Sequence, residues 1–183
     1  GISGSIQGAL GYLPLYLRGQ GWADASADGA LSLFHLMSMI FVIPIAIASD
    51  RLGSRKKLLV PAVLMIVTGF SLLSVVTGGA VWAAVSIAGL VRDGFMAVFI
   101  TMIVETEGVG AAYTGTATGL VMVFAGLSNV IAPPLGNSLA AVSPGLPFMF
   151  WAGMAVIGLA ALAATRERRA VPVVPGTPAV AAG

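Results

Sequence analysis

The chain has 183 residues, of which 58% are hydrophobic and only 9% are charged, and its formal net charge is +2. Soluble domains carry about 25% charged residues, so water is not the solvent expected around most of this surface. The absence of Cys excludes disulfides, Cys-ligated zinc and iron–sulfur clusters, and we expect no metal and no cofactor. The basic residues flank apolar runs and are not interleaved with aromatic residues, which argues against nucleic-acid binding.

Six apolar stretches follow one another along the chain, and each has nearly the length of about 20 residues that a membrane-crossing helix needs. They cover residues 2–17, 30–49, 58–77, 80–104, 113–139 and 147–165. The pattern predicts an all-α membrane protein with one domain over residues 1–165. Residues 166–183 are rich in Pro, Val and Ala without a period, and we predict a disordered cytoplasmic tail.

The distribution of Lys and Arg over the connecting segments predicts the orientation. One side of the membrane would hold Arg51, Arg55, Lys56, Lys57, Arg166, Arg168 and Arg169. The other side would hold Arg18 alone, while Arg92 falls inside the fourth stretch. Because basic loops remain in the cytoplasm, the rule predicts that the basic turn, the Glu105 loop and both ends of this segment are cytoplasmic. We expect the protein to lie in the inner (plasma) membrane.

A basic turn, Ser49-Asp50-Arg51-Leu52-Gly53-Ser54-Arg55-Lys56-Lys57, joins the second and third stretches. It resembles the loop signature of the major facilitator superfamily, in which Gly, three residues, Asp, Arg, any residue and Gly precede basic residues. The matching positions here are Asp50, Arg51, Gly53, Arg55 and Lys56. Ala46 stands where the family has its leading Gly, and Ser54 replaces the first basic residue after Gly53.

The resemblance extends over residues 1 to about 165 and implies half of a transporter fold. That fold has two six-helix bundles, each made of two inverted three-helix repeats. The six stretches look like the second bundle, so a missing N-terminal six-helix half would be a partner. The alternative is a true six-helix protein that pairs with itself or with another chain.

The resemblance also implies a gating role for the basic turn. In the family, the Asp of the signature contacts a helix N-terminus in the opposite half, where the helix dipole favours an anion. In this chain we expect Asp50 to have local partners instead, such as Arg51 or Arg55. Glu105, at the cytoplasmic end of the fourth stretch, is expected to join Arg51 or Arg55 in an ion-pair network.

Arg92 and Asp93 are the strongest chemical signal, because an ionisable group in the middle of a membrane is costly and indicates function. They would either line a substrate or ion pathway or form a structural ion pair. By family analogy Gln7 would also line the cavity, whereas Asn129 would line it or bond a neighbouring helix. His35, the sole His, would relay protons or simply pack.

No catalytic constellation is present, so we expect no enzyme. The resemblance implies a secondary active transporter that moves a small polar or anionic metabolite by alternating access, coupled to a proton or another ion. Efflux of hydrophobic compounds and a non-transporting structural membrane subunit are the alternatives.

Overall fold

The computed structural model describes residues 1–105 and 110–165, with no side chains described for 110–112. Seven α-helices make up nearly all of this part of the chain. They are α1 (Ile2–Gly19), α2 (Asp24–Leu52), α3 (Lys56–Leu73), α4 (Ala80–Leu90), α5 (Arg92–Val104), α6 (Gly110–Ser138) and α7 (Leu146–Ala164). The predicted tail, residues 166–183 with Arg166, Arg168 and Arg169, lies outside the described residues.

Five helical stretches are long and apolar enough to cross a membrane: α2, α3, α4 together with α5, the segment Tyr113–Ala141, and α7. α1 has the same length as α3, but Gln7 and several Gly and Ser residues make it more polar. It is also the helix that buries Leu13 and Leu17 against the other helices. The predicted all-helical membrane architecture is confirmed, whereas the division into two inverted repeats remains a prediction.

Several helix bounds differ from those of the apolar stretches. α2 begins at Asp24, before the apolar run, because an acidic residue in the first turn favours a helix start. It ends at Leu52 and is followed by Gly53, whose φ of 62° is readily adopted only by Gly. α6 continues through Pro133 and Pro134 to Ser138, so the proline pair does not end the helix.

Trp151 of α7 joins three helices at the centre of the bundle. Its ring is fully buried, and a Cβ on Gly8 of α1 or Gly136 of α6 would lie 2.3 or 2.4 Å from it. Its Nε1 donates a hydrogen bond to the carbonyl oxygen of Ala132 in α6, at 3.2 Å. The absence of side chains at the two glycines therefore allows α1 and α6 to close on the indole.

α2 packs closely against α4 and α5. A Cβ on Gly89 would lie 2.6 Å from the carbonyl oxygen of Phe34, and one on Gly94 would lie 2.6 Å from the Ile45 side chain. These two contacts bracket the midpoint of the fourth stretch. The middle of α2 is thus the surface on which that stretch rests.

The two ends of the bundle carry different charges. We call the end that holds Arg51, Arg55, Lys56, Lys57, Asp50 and Glu105 the basic end. At the opposite end, Arg18 forms ion pairs with Asp24 at 2.9 Å and with Asp28 at 2.8 Å. Beside them the rings of Trp22 and Trp82 lie 5.8 Å apart, where interfacial aromatic residues are typical of membrane proteins.

Candidate functional site

The fourth stretch is broken at its middle. α4 ends at Leu90, Val91 forms a one-residue turn with φ −103° and ψ −8°, and α5 begins at Arg92. The apolar pattern predicted one continuous span here, and the break is a feature that the pattern did not contain. It places the first turn of a helix, with backbone amide groups that lack carbonyl partners in their own helix, at the depth of Arg92 and Asp93.

Arg92 and Asp93 form an ion pair at this break. The guanidinium Nη1 lies 3.0 Å from Oδ1 of Asp93, and the two side chains are 31% and 40% exposed. The sequence left open whether each would find a different partner. In the structure the carboxylate neutralises the cation next to it, so the site as a whole carries no net charge.

The break is held by α2 through a hydrogen bond. The backbone N–H of Asp93 donates to Oγ of Ser38 at 2.9 Å. Ser38 is fully buried, and α5 has no side-chain cap of its own. A serine of a neighbouring helix thereby satisfies an amide group that would otherwise lie unpaired in an apolar medium.

A second polar cluster lies at the basic end around Arg55. Its guanidinium donates to both carboxylate oxygens of Glu105, at 2.8 and 3.1 Å, and to Oδ1 of Asp50, at 2.5 Å. It also donates to Oγ of buried Ser49, at 3.0 Å. Arg55 therefore connects the end of α2 with the end of α5.

The hydrogen bonds to Glu105 and then to Asp50 raise the pKa of the Arg55 guanidinium above its ordinary value. A cation whose pKa is raised on folding contributes its stabilisation fully below the ordinary Arg pKa, and loses it only as pH rises through the still higher folded value. The Arg55 charge is therefore present at any pH at which the protein would be handled.

The expected local partner of Asp50 is confirmed, and it is Arg55. Glu105 also pairs with Arg55, while Arg51 is exposed and has no ion pair in the described part of the chain. Lys56 performs a different task, because its Nζ donates to the carbonyl oxygens of Ala163, at 2.9 Å, and Thr165. A cation at these last carbonyls stabilises the C-terminus of α7.

In the described part of the chain, none of the other predicted pathway residues forms a hydrogen bond or ion pair with Arg92. Gln7 lies on an exposed face of α1, and His35 is exposed on α2 with its ring 5.8 Å from that of Phe34. Over residues 1–105 and 113–165, neither has a hydrogen bond. Asn129 instead accepts a hydrogen bond from Ser3 of α1, at 3.0 Å, so it joins α6 to α1.

The sequence analysis did not identify Ser38 and Ser49 as site residues. Both are buried serines: Ser38 accepts a hydrogen bond from the Asp93 amide, and Ser49 accepts one from Arg55. They are eleven positions apart on α2, which places them on one helix face three turns from each other. Phe34 and Ile45 are buried on the same face at helical spacing. Their spacing predicts the buried face of α2, and Ser38 and Ser49 could have been identified as the polar residues on it. A serine in an apolar run is weak evidence alone, since its hydroxyl often bonds its own helix, as Ser5 does with Ile2.

A groove of about 400 Å³ lies between α6 and α7. Its walls are almost entirely apolar, with Phe124, Leu127, Ile131, Phe150 and Met154 among the residues that line it. In the described residues no group of three His, Cys, Asp or Glu side chains is arranged to hold a metal ion.

One of three comparisons with known proteins found a match, and that match agrees with this architecture. The family model described as Major Facilitator Superfamily matches residues 1–182, which is almost the whole chain. No curated protein and no solved structure matches the chain. The family match covers the basic turn, the broken fourth stretch and all seven helices. The chain therefore belongs to the Major Facilitator Superfamily, a family of membrane transporters.

Proposed function

We propose that the chain is the C-terminal six-helix half of a secondary active transporter, which moves a small polar or anionic metabolite by alternating access. The observation that carries this proposal is the Arg92–Asp93 ion pair at the break of the fourth stretch. Discontinuous helices with ionisable groups near the bilayer midplane are where secondary transporters bind substrates and coupling ions.

The pairing of Arg92 with Asp93 supports an exchange of partners. An anionic group of the substrate would replace the Asp93 carboxylate on the guanidinium, so that the cation stays neutralised throughout. The released carboxylate would then take up a proton, which couples substrate binding to proton binding. Neither ion would be left unpaired in the membrane, which is the costly state.

The test is uptake of labelled organic anions by the full-length protein in proteoliposomes. Arg92→Ala should lower uptake about tenfold or more, because a hydrogen bond to a charged group is lost. Asp93→Asn should tighten anion binding, since the competing carboxylate is gone, and should remove the dependence of uptake on a proton gradient. Lys57→Ala is the matched control for loss of one cation at an exposed position. Unchanged uptake in Arg92→Ala would remove this pair from the mechanism.

The Asp50–Arg55–Glu105 cluster would act as a latch that holds the basic end closed in one state. It connects the α2–α3 turn with the end of α5, so that opening this end by moving α5 has to break the Arg55–Glu105 contacts. Glu105→Gln should shift the protein toward the state open at the basic end. Crosslinking or distance measurements between the α2–α3 turn and the end of α5 would contradict the latch if their distribution stayed the same.

Export of hydrophobic compounds is the second candidate, and the apolar groove between α6 and α7 favours it. In that case Arg92→Ala would leave transport unchanged, whereas Phe124→Ala in the groove would reduce it. A structural membrane subunit would show no flux that depends on either site. A cytoplasmic basic end, an inner (plasma) membrane location and a pairing N-terminal half complete the proposal.

A further inference from the structure

Three buried polar side chains occur among the described residues, and all are serines: Ser5, Ser38 and Ser49. Ser5 donates to the carbonyl oxygen of Ile2 in its own helix, at 2.7 Å. Ser49 accepts a hydrogen bond from Arg55 in the basic turn. Ser38 is the one whose hydroxyl oxygen accepts from the backbone of another membrane-crossing helix, where that helix begins.

We infer that Ser38 is a positioning residue, which caps the start of α5 from α2 and so fixes where the Arg92–Asp93 pair lies. A helix start is normally capped by a Ser, Thr, Asp or Asn that immediately precedes it. Val91 occupies that place here and has no polar side chain. The acceptor therefore comes from α2, and the amide that it satisfies belongs to Asp93 itself.

The packing on both sides of the hydrogen bond restricts the geometry. Gly89 is in close contact with the Phe34 backbone before the break, and Gly94 with Ile45 after it. Phe34, Ser38 and Ile45 are all buried on the same face of α2. Ser38 is the polar group between these two contacts, so its hydrogen bond determines where α5 lies along α2. Gly89 and Gly94 have no side chains, which allows the two helices to come this close.

The effect of Ser38 on transport rests on the proposed function of the Arg92–Asp93 pair. The hydrogen bond between Ser38 and the Asp93 amide does not depend on that proposal. If the Ser38 hydroxyl is removed, the Asp93 amide loses its acceptor in an apolar environment. The first turn of α5 should then open more often, and the Arg92 guanidinium should be held less well for a substrate. The apparent KM should rise more than the maximal rate falls.

The test compares Ser38→Ala, Ser38→Thr and Ser5→Ala in the full-length protein in lipid nanodiscs. Hydrogen exchange of the peptide that contains residues 91–95 is the first measurement. Ser38→Ala should accelerate this exchange about tenfold, as expected for loss of one buried hydrogen bond. Ser38→Thr, which keeps a hydroxyl acceptor, should restore slow exchange. Ser5→Ala, an equally buried serine that bonds its own helix, should leave exchange at 91–95 unchanged.

Unaltered exchange in Ser38→Ala would overturn the inference, and so would equal acceleration in Ser5→Ala or no rescue by Thr. Substrate uptake is measured in parallel. Faster exchange with a raised KM in Ser38→Ala supports both the positioning role and the proposed site. Faster exchange with an unchanged KM supports the role of Ser38 at the break, and contradicts the proposed function of the Arg92–Asp93 pair.

Discussion

Arg55 shows why position within a basic turn decides what a cation does. Its side chain is 17% exposed and binds both Asp50 and Glu105, whereas Arg51, four residues earlier, points to solvent without a described ion pair. The planar guanidinium contacts both oxygens of Glu105 at once, a geometry that Lys does not reproduce. Two arginines of the same basic turn therefore differ in their expected contribution to stability.

Arg55→Ala should lower the free energy of unfolding by about 1–2 kcal/mol, a range reduced because Asp50 and Glu105 are partly exposed to solvent. Arg55→Lys should recover less than half of this loss. Thermal unfolding of the detergent-solubilised protein measures both, with Arg51→Ala as the control of equal charge change. An equal loss of stability in Arg51→Ala would show that total charge, rather than the Arg55 contacts, stabilises this end.

At the same scale, the sequence indicated charged residues better than serines. Arg92, Asp93, Arg55 and Glu105 are conspicuous because charges are rare in this chain. Ser38 and Ser49 do not stand out, because serine is common in this chain. They matter because they share one face of α2, and because Ser38 accepts from the Asp93 amide and Ser49 from the Arg55 guanidinium. These two hydrogen bonds are tertiary contacts, which a local sequence pattern does not contain.

At the scale of elements, α2 is the helix to which both clusters attach. Ser38 contacts the start of α5 and Ser49 contacts Arg55, about 16 Å apart along the helix axis at 1.5 Å per residue. The apolar stretches predicted where helices would lie, but not that the fourth would divide at Val91. Because α4 and α5 are both apolar, hydropathy is continuous across a break that the hydrogen bond from the Asp93 amide to Ser38 of α2 stabilises.

Adding a methyl group at two glycines on different helices should change the stability of the protein in opposite directions. A Cβ on Gly89 would lie 2.6 Å from the Phe34 backbone, whereas one on Gly119 of α6 would meet no atom within 4 Å. Gly89→Ala should therefore destabilise the protein by about 1–3 kcal/mol through overpacking. Gly119→Ala should stabilise it by up to about 1 kcal/mol, because Ala is the better helix former.

Thermal unfolding of the two glycine variants in the same detergent checks this prediction. Equal shifts of the unfolding temperature would mean that α2 and α4 are not in close contact at Gly89. A loss of stability in Gly119→Ala would mean instead that this face of α6 is covered in the whole protein.

At the scale of the whole molecule, Trp151 connects α1, α6 and α7. Trp151→Ala should cost about 3–5 kcal/mol, as for a fully buried aromatic side chain. Trp151→Phe should cost less, since it mainly removes the hydrogen bond to the Ala132 carbonyl. Trp82→Ala is the matched control, because Trp82 is 36% exposed and its removal should cost only about 1 kcal/mol. A similar loss in both Trp→Ala variants would show that Trp151 does not join the three helices.

The orientation in the membrane is testable because residues 1–183 contain no Cys, so an introduced thiol is the only one in this part of the protein. Lys57 lies at the basic end and Thr77 in the turn after α3, at the other end. Lys57→Cys should react with a membrane-impermeant maleimide only after the cells are permeabilised, and Thr77→Cys in intact cells. The reverse pattern would place the basic end outside.

Unequal anchoring of α4 and α5 has a mechanical consequence. α4 buries Val81, Ala84, Val85, Ala88 and Gly89 out of eleven residues, while α5 buries only Gly94, Phe95 and Val98 out of thirteen. We therefore expect a bending force on α5 to be taken up at Val91, with little of it reaching α4. In that case the half of the span toward the Arg18 end would be stiffer than the half toward the basic end. A displacement of α5 would strain the contact of Arg55 with Glu105 first, while α4 stays packed on α2 and α3.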